Sequence, residues 1–192
     1  MSSSESHPLK PFLPSNAKVL MLGSFPPQQK RWSMEFFYPN FQNDMWRIMG
    51  LLFFADKDIF VNKRTKSFNK ESIIQFLEET GIALYDTAKE VRRLRDNASD
   101  YFLEIIQPTN LEELLQHIPQ CKAIVTTGEK ATDEIVSRHN TTKPKIGEYT
   151  PLHIGQRELR LYRMPSPSRA YPLVLEKKAV YYHEMFKELG FI

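Results

Sequence analysis

The chain has 192 residues, enough for one domain that buries its own core without a metal or disulfide. Its 26 Lys and Arg against 23 Asp and Glu leave a formal charge of only +3, so net charge alone does not single out a nucleic-acid binder. The lone cysteine, Cys121, excludes an intrachain disulfide and a cysteine-built metal cluster, residues 1–10 lack an apolar signal core, and no apolar run approaches the roughly 20 residues of a membrane helix; a cytoplasmic protein with no membrane partner is expected.

Residues 1–14, rich in Ser and Pro, read as a mobile tail, and residues 15–192 as a single domain. The apolar run 18–22 predicts a buried strand, stopped by Gly23 and by Phe25-Pro26-Pro27, which suit neither a sheet ladder nor a helix start. Met45, Ile48, Met49, Leu52 and Phe53 recur at the spacing of a core-facing helix, with Asn43 or Asp44 as its N-cap. A helix over 69–80 ends at Gly81 before a strand over 82–85. Further along, 111–117, 129–138 and 175–189 read as helices and 123–127 and 159–164 as strands. Residues 63–70 and 89–96 are charged patches, and the arginines Arg92, Arg93 and Arg95 read as a solvated face. The repeated alternation predicts an α/β three-layer sandwich, a mostly parallel sheet with helices on both faces. Ligands of such sheets sit at the carboxyl ends of the strands, which makes the loops 23–43 and 165–172 candidate walls of one site.

No phosphate-binding G-x-x-x-x-G-K-[ST] loop, G-x-G-x-x-G fingerprint or G-x-S-x-G elbow occurs. The five histidines are scattered, none with the i, i+4 partner of a helix-borne metal site. The expectation is a reaction without cofactor or metal, working by binding and distortion.

Leu22-Gly23-Ser24-Phe25-Pro26, then Phe36-Phe37-Tyr38-Pro39 and Asn43-Asp44-Met45-Trp46, resembles the first motif region of the uracil-DNA glycosylase superfamily, closest to its hypoxanthine-DNA glycosylase branch. Gly81-Ile82-Ala83-Leu84-Tyr85-Asp86 is similar to the middle segment of that branch, and Met164-Pro165-Ser166-Pro167-Ser168 to its second motif. The chain departs from the pattern at Pro27, where the family has glycine, and lacks both the aspartate or asparagine of the first loop and the histidine of the second found in the uracil enzymes. The resemblance implies a uracil-DNA glycosylase-like fold and a monofunctional DNA glycosylase acting on hypoxanthine or uracil, as a monomer whose partner is DNA containing a damaged base. No lysine stands in either motif as a Schiff-base nucleophile.

By this resemblance Asn43 is the catalytic candidate, holding a water against the sugar. Gly23, Ser24, Phe25, Phe37 and Tyr38 would bind the base, through backbone N–H groups and aromatic faces worth about 1–3 kcal/mol per stacked base. Trp32 and Phe36 are the other rings of this region. Ser166, Ser168, Arg169 and Tyr171 would contact DNA, with Lys30, Arg31 and Arg163 adding phosphate contacts. Structural roles compete with these: Asn43 serves equally as a helix cap, Asp86 as a cap or a ligand contact, and the prolines around Ser166 and Ser168 as an ordinary rigid loop. Two other functions fit the same residues, a non-catalytic nucleic-acid binder and a small-molecule nucleoside or nucleotide enzyme.

Overall fold

The computed structural model describes residues 3–95 and 100–192; the end of the charged stretch 89–96, Asp96, and the first two residues of the chain lie outside the described residues. In chain order the elements are β1 (Ser4–Ser6), β2 (Val19–Gly23), α1 (Met45–Phe54), β3 (Val61–Asn62), β4 (Ser67–Phe68), α2 (Lys70–Thr80), β5 (Ile82–Asp86), β6 (Ala88–Arg93), β7 (Leu103–Pro108), α3 (Leu111–Gln116), β8 (Ala123–Thr126), α4 (Glu129–His139), β9 (Tyr149–Ile154), β10 (Arg157–Arg163) and α5 (Leu175–Glu188). The main sheet runs β5-β2-β8-β10-β9. Its pairs β5–β2, β2–β8 and β8–β10 are parallel, and β9 returns antiparallel at the edge. Strands β2, β5 and β8 are buried throughout their apolar runs, which is why they read as continuous hydrophobic segments.

Local chemistry ends the helices where the sequence places the signals. The Asn69 side chain accepts from Ser72 N at the start of α2, and Gly81 closes the helix in the left-handed region at φ 79°. Asn110 caps α3 in the same way, through Glu113 N. At α1 the cap position belongs to Asp44, whose side chain makes no bond to the helix, while the Asn43 carboxamide oxygen accepts from Met45 N at 2.9 Å. No helix among the described residues is long and apolar enough to cross a membrane.

Three expectations are corrected. Residues 4–12 do not hang free as a tail: β1 pairs antiparallel with β6, and Phe12 exchanges both backbone hydrogen bonds with Leu84 of β5. Ala88–Arg93 and Leu103–Pro108 pair antiparallel as β6 and β7, completing a second sheet in the order β1-β6-β7. Its inner residues Ala88, Val91 and Leu103 form a small core around Phe25. The solvated arginine face divides accordingly. Arg92 is exposed and pairs with Glu104, whereas Arg93 is buried, bonding Glu5 of β1 at 2.9 Å and the Pro26 carbonyl at 2.9 Å. In the main sheet, β9 alternates exposed and buried residues around Pro151, which an edge strand tolerates because one row of its N–H groups has no partner strand.

Candidate active site

The parallel register brings the carboxyl ends of three strands to one level. Gly23 of β2 lies beside Asp86 of β5, and Leu22 beside Thr126 of β8, so that Gly23, Asp86 and Thr127 surround one point. A cavity of about 260 Å³ opens above them. Its walls come from both loops singled out in the sequence: Ser24, Phe25, Arg31, Phe37, Tyr38 and Asn43 on one side, Ser166, Ser168 and Arg169 on the other. Asp86 and Thr127 are buried and form the floor, while Asn43 and the Ser166–Arg169 side carry partly to largely exposed residues and form the mouth.

The loop after β2 is built around buried rings. Phe37 contacts Phe36, Tyr85 and the His7 imidazole, and Phe25 meets the same imidazole edge-on at 5.2 Å. Phe36 belongs to the core, packed on Trp46, and the Trp32 indole N–H is spent on the Pro27 carbonyl at 2.7 Å; neither lines the cavity. Tyr38 is held at φ 50°, a left-handed conformation that is uncommon for an aromatic residue and is sustained by its surroundings. Its hydroxyl bonds the Thr127 hydroxyl at 2.9 Å across the cavity floor. Burial, reinforced by the negative charge of Asp86, pushes the Tyr38 phenol well above the ordinary tyrosine range, so it remains a neutral hydroxyl.

Asn43 sits at the mouth. Its carboxamide oxygen accepts the Met45 N–H, which fixes the side chain, and the residue lines the cavity. The capping and site roles weighed from the sequence are therefore compatible at one residue.

Two carboxylates also face the cavity. Asp86 accepts from His7 Nε2 at 2.7 Å, and both side chains are buried. Its other oxygen lies over Gly23, where an added Cβ would come within 2.6 Å of Asp86 Oδ1; glycine is the residue that leaves room for it. Asp100 belongs to an exposed residue, but its carboxyl group turns to the cavity wall, where it accepts from the buried Ser24 hydroxyl at 2.6 Å. Desolvation raises the Asp100 carboxyl above its ordinary range, opposed by the Ser24 hydrogen bond.

The second loop is fixed from beneath by a residue that no motif points to. Lys178 of α5 is fully buried; its ammonium donates to the Ser168 carbonyl at 2.8 Å and to Asp44 Oδ2 at 3.2 Å. Asp44 also accepts from Arg169 Nε at 3.2 Å, and its backbone N–H donates to the Pro167 carbonyl at 2.7 Å. The start of α1 and the 165–172 loop are thus one unit, joined further by the bridge between Asn43 and Ser168. The Ser166 and Ser168 hydroxyls each accept from the N–H two residues on, which leaves their own hydrogens to donate outward. Tyr171 lies outside the cavity, in an adjoining groove with Arg47, Lys57 and Arg169. Arg163 is turned away from the site, bonded to the Pro144 carbonyl and paired with Glu129, and Lys30 is not part of the cavity wall.

The fold has a known counterpart. The chain is similar to the solution NMR structure of a candidate uracil DNA glycosylase from Methanosarcina acetivorans, with a TM-score of 0.62 over 94% of this chain and 97% of that one. At 19% identity the likeness establishes a shared α/β architecture. No family model matches the chain, and no curated protein matches it in sequence.

Most of the residues expected at the site meet at the cavity: Gly23, Ser24, Phe25, Phe37, Tyr38, Asn43, Ser166, Ser168 and Arg169 all line it. The residues that sequence reasoning missed are His7, Asp100, Thr127 and Lys178. His7, Asp100 and Thr127 come from segments outside both motifs, and Lys178 stands only ten positions after Ser168 but on α5, where one lysine among several gives no signal of burial. In β6 the apolar Ala88 and Val91 stand three residues apart, because an irregularity between Ala88 and Val91 breaks the strand alternation, so no period-2 signal stands in the sequence there.

Proposed function

We propose that the protein is a monofunctional DNA glycosylase that flips a deaminated base, hypoxanthine or uracil, out of DNA and hydrolyses its N-glycosidic bond. The observation that carries this reading is a cavity where the two loops converge, with buried polar groups on its floor and donors at its mouth. At about 260 Å³ it falls just below the usual range of small-ligand pockets, roughly 300–1,000 Å³, a size suited to one base rather than a whole nucleotide. The likeness to the Methanosarcina acetivorans protein supports the same reading at the level of fold, as does the three-layer sandwich that the resemblance implies.

The chemistry follows from position. Extruding a base costs a few kcal/mol. Phe37 and Tyr38 offset this by walling the base, and the backbone N–H groups at Ser24 and Phe25, just past the end of β2, meet its carbonyl oxygen and the negative charge that grows as it departs. Asn43 at the mouth, beside the sugar, holds the attacking water. The glycosidic C1′–N bond breaks with its electron pair going to the base, the water oxygen bonds C1′, and the proton that the water gives up ends on the released base. An amide is a weak base, so positioning supplies the rate. Ser166 and Ser168 donate to phosphates, and Arg169 and Tyr171 engage the backbone beside the vacated stack, as the resemblance implies. The enzyme acts as a cytoplasmic monomer with DNA as its partner.

The test is a gel assay on labelled duplex and single-stranded oligonucleotides, each with one hypoxanthine, uracil or xanthine. Alkali-dependent breaks at the damaged base support the reading; salt-sensitive binding with no breaks replaces it with a non-catalytic binder.

A further inference from the structure

The β6–β7 hairpin is anchored against the first loop and ends beside the cavity. Arg93, the last residue of β6, donates to the Pro26 carbonyl, while Ala88, Val91 and Leu103 pack on Phe25. The ladder runs one step past the strands, with Leu94 N donating to the Phe102 carbonyl at 2.8 Å. A 3-10 turn over Asp100–Phe102 leads into β7, and within it Asp100 accepts from the Ser24 hydroxyl at 2.6 Å on the cavity wall. Tyr101 comes next, its Cα about 3.8 Å further on.

This end of the hairpin carries apolar and cationic groups together. Tyr101 is 83% exposed, more than any other large apolar side chain among the described residues, and Leu94 is 59% exposed. Arg95 is exposed too, with its guanidinium 4.6 Å over the Phe102 ring, and Arg92 is half-exposed beside Glu104. A protein-docking patch needs a wider apolar area than one ring and one leucine. A ring flanked by guanidiniums fits nucleic acid, whose bases offer flat faces to stack on between phosphates.

The position gives this surface its place on the strand. The hairpin begins one residue after β5, at the edge of the main sheet, and the 165–172 loop follows β10, with β2 and β8 between them. The two therefore stand on different sides of the cavity. A nucleotide extruded into the cavity leaves its neighbour in the strand with one bare face. The ring next to the Asp100 wall is placed to cover that face.

We propose that the end of the β6–β7 hairpin is a second contact surface for DNA, where Tyr101 stacks on the base beside the extruded nucleotide in the same strand and Arg95 holds a phosphate there. This rests on the glycosylase reading and adds a strand contact outside both motif loops.

The test measures binding, so that it does not depend on catalysis. Fluorescence anisotropy gives the affinity of the full chain for a labelled duplex with one tetrahydrofuran residue, an abasic analogue with no base to release. Tyr101→Ala weakens binding roughly five-fold or more, the low end of a base–aromatic stack, and Tyr101→Phe, which keeps the ring, does not. The Tyr101→Ala penalty disappears once the nucleotide on one side of the analogue is itself replaced by tetrahydrofuran, because the ring has then lost its partner. Arg95→Ala reduces the slope of log affinity against log salt by about 0.9. Melting curves check that these exposed positions are replaced without loss of the fold. No binding by the wild type, unchanged affinity in Tyr101→Ala, a penalty that survives removal of either neighbouring base, or an unchanged slope in Arg95→Ala overturns the proposal. Base release assayed in parallel separates the two ideas. Release by the wild type with an affinity indifferent to Tyr101 refutes this proposal alone, and the expected binding pattern without release refutes the glycosylase reading alone.

Discussion

The Lys178 ammonium lies 3.2 Å from Asp44 Oδ2, with side-chain exposures of 0% and 7%, so a buried ion pair links the last helix to the residue next to Asn43. Removing one partner of such a pair leaves an uncompensated charge and costs about 3–5 kcal/mol. Lys178→Met is expected to lower unfolding stability by that order, because Asp44 then keeps only the half-exposed Arg169 and the Ser168 carbonyl loses its donor. Adding Asp44→Asn to it should cost less than the sum of the single changes. Urea denaturation of the four proteins of the cycle measures this coupling.

In the free protein Arg169 bonds Asp44, with half its side chain exposed at the cavity mouth. If it exchanges Asp44 for a DNA phosphate, Arg169→Ala weakens DNA binding at low salt and reduces the slope of log affinity against log salt by about 0.9. Stability should change by less than about 1 kcal/mol, as for exposed ion pairs. Fluorescence anisotropy over a salt series checks the slope, and an unchanged slope removes Arg169 from the phosphate contacts.

At Gly23 an added methyl meets Asp86 Oδ1 at 2.6 Å, and His7 prevents the carboxylate from swinging clear. Gly23→Ala is expected to cost about 1–3 kcal/mol of stability, as overpacking does. Its base-release rate should fall at least about ten-fold at a temperature where it is fully folded. Single-turnover kinetics beside a melting curve separate these effects. A variant with wild-type rate would mean that the Asp86 position is not needed.

The raised Asp100 carboxyl has a defined consequence for pH. A carboxyl whose folded pKa exceeds its unfolded value favours folding most below the ordinary carboxylate range, and that contribution is lost as pH rises through the raised value. Asp100→Asn, which cannot ionise and keeps an acceptor for Ser24, should gain stability relative to wild type as pH increases through this window. Thermal melts between acid and neutral pH give the comparison, and a constant difference across the window contradicts it.

What could be read from the chain and what could not divides along physical lines. Strands β2 and β5 are buried on both faces, so their side chains are uniformly apolar and their limits plain. The glycine stop of α2 at Gly81 is equally legible. Residues 88–93 looked like a solvated patch because one face of β6 is charged, and because Arg93 hides its charge by bonding Glu5 and the Pro26 carbonyl, partners 88 and 67 positions away. The same limit applies in the site. The loops after β2 and β10 converge because the parallel sheet aligns the ends of those strands, a consequence of topology that alternation predicts. His7 reaches Asp86 across 79 positions and Lys178 reaches Asp44 across 134, contacts that depend on how the whole chain closes.

The central claim is that the protein releases a free base from DNA. The most direct measurement is chromatography of the small molecules liberated from an oligonucleotide carrying one hypoxanthine or one uracil, for wild type and Asn43→Ala. The account predicts free base in step with abasic sites, an uncut strand until alkali is added, and at least a hundred-fold loss, roughly that of one well-placed catalytic group, in Asn43→Ala. No free base from either substrate, at protein in excess of DNA, would contradict it.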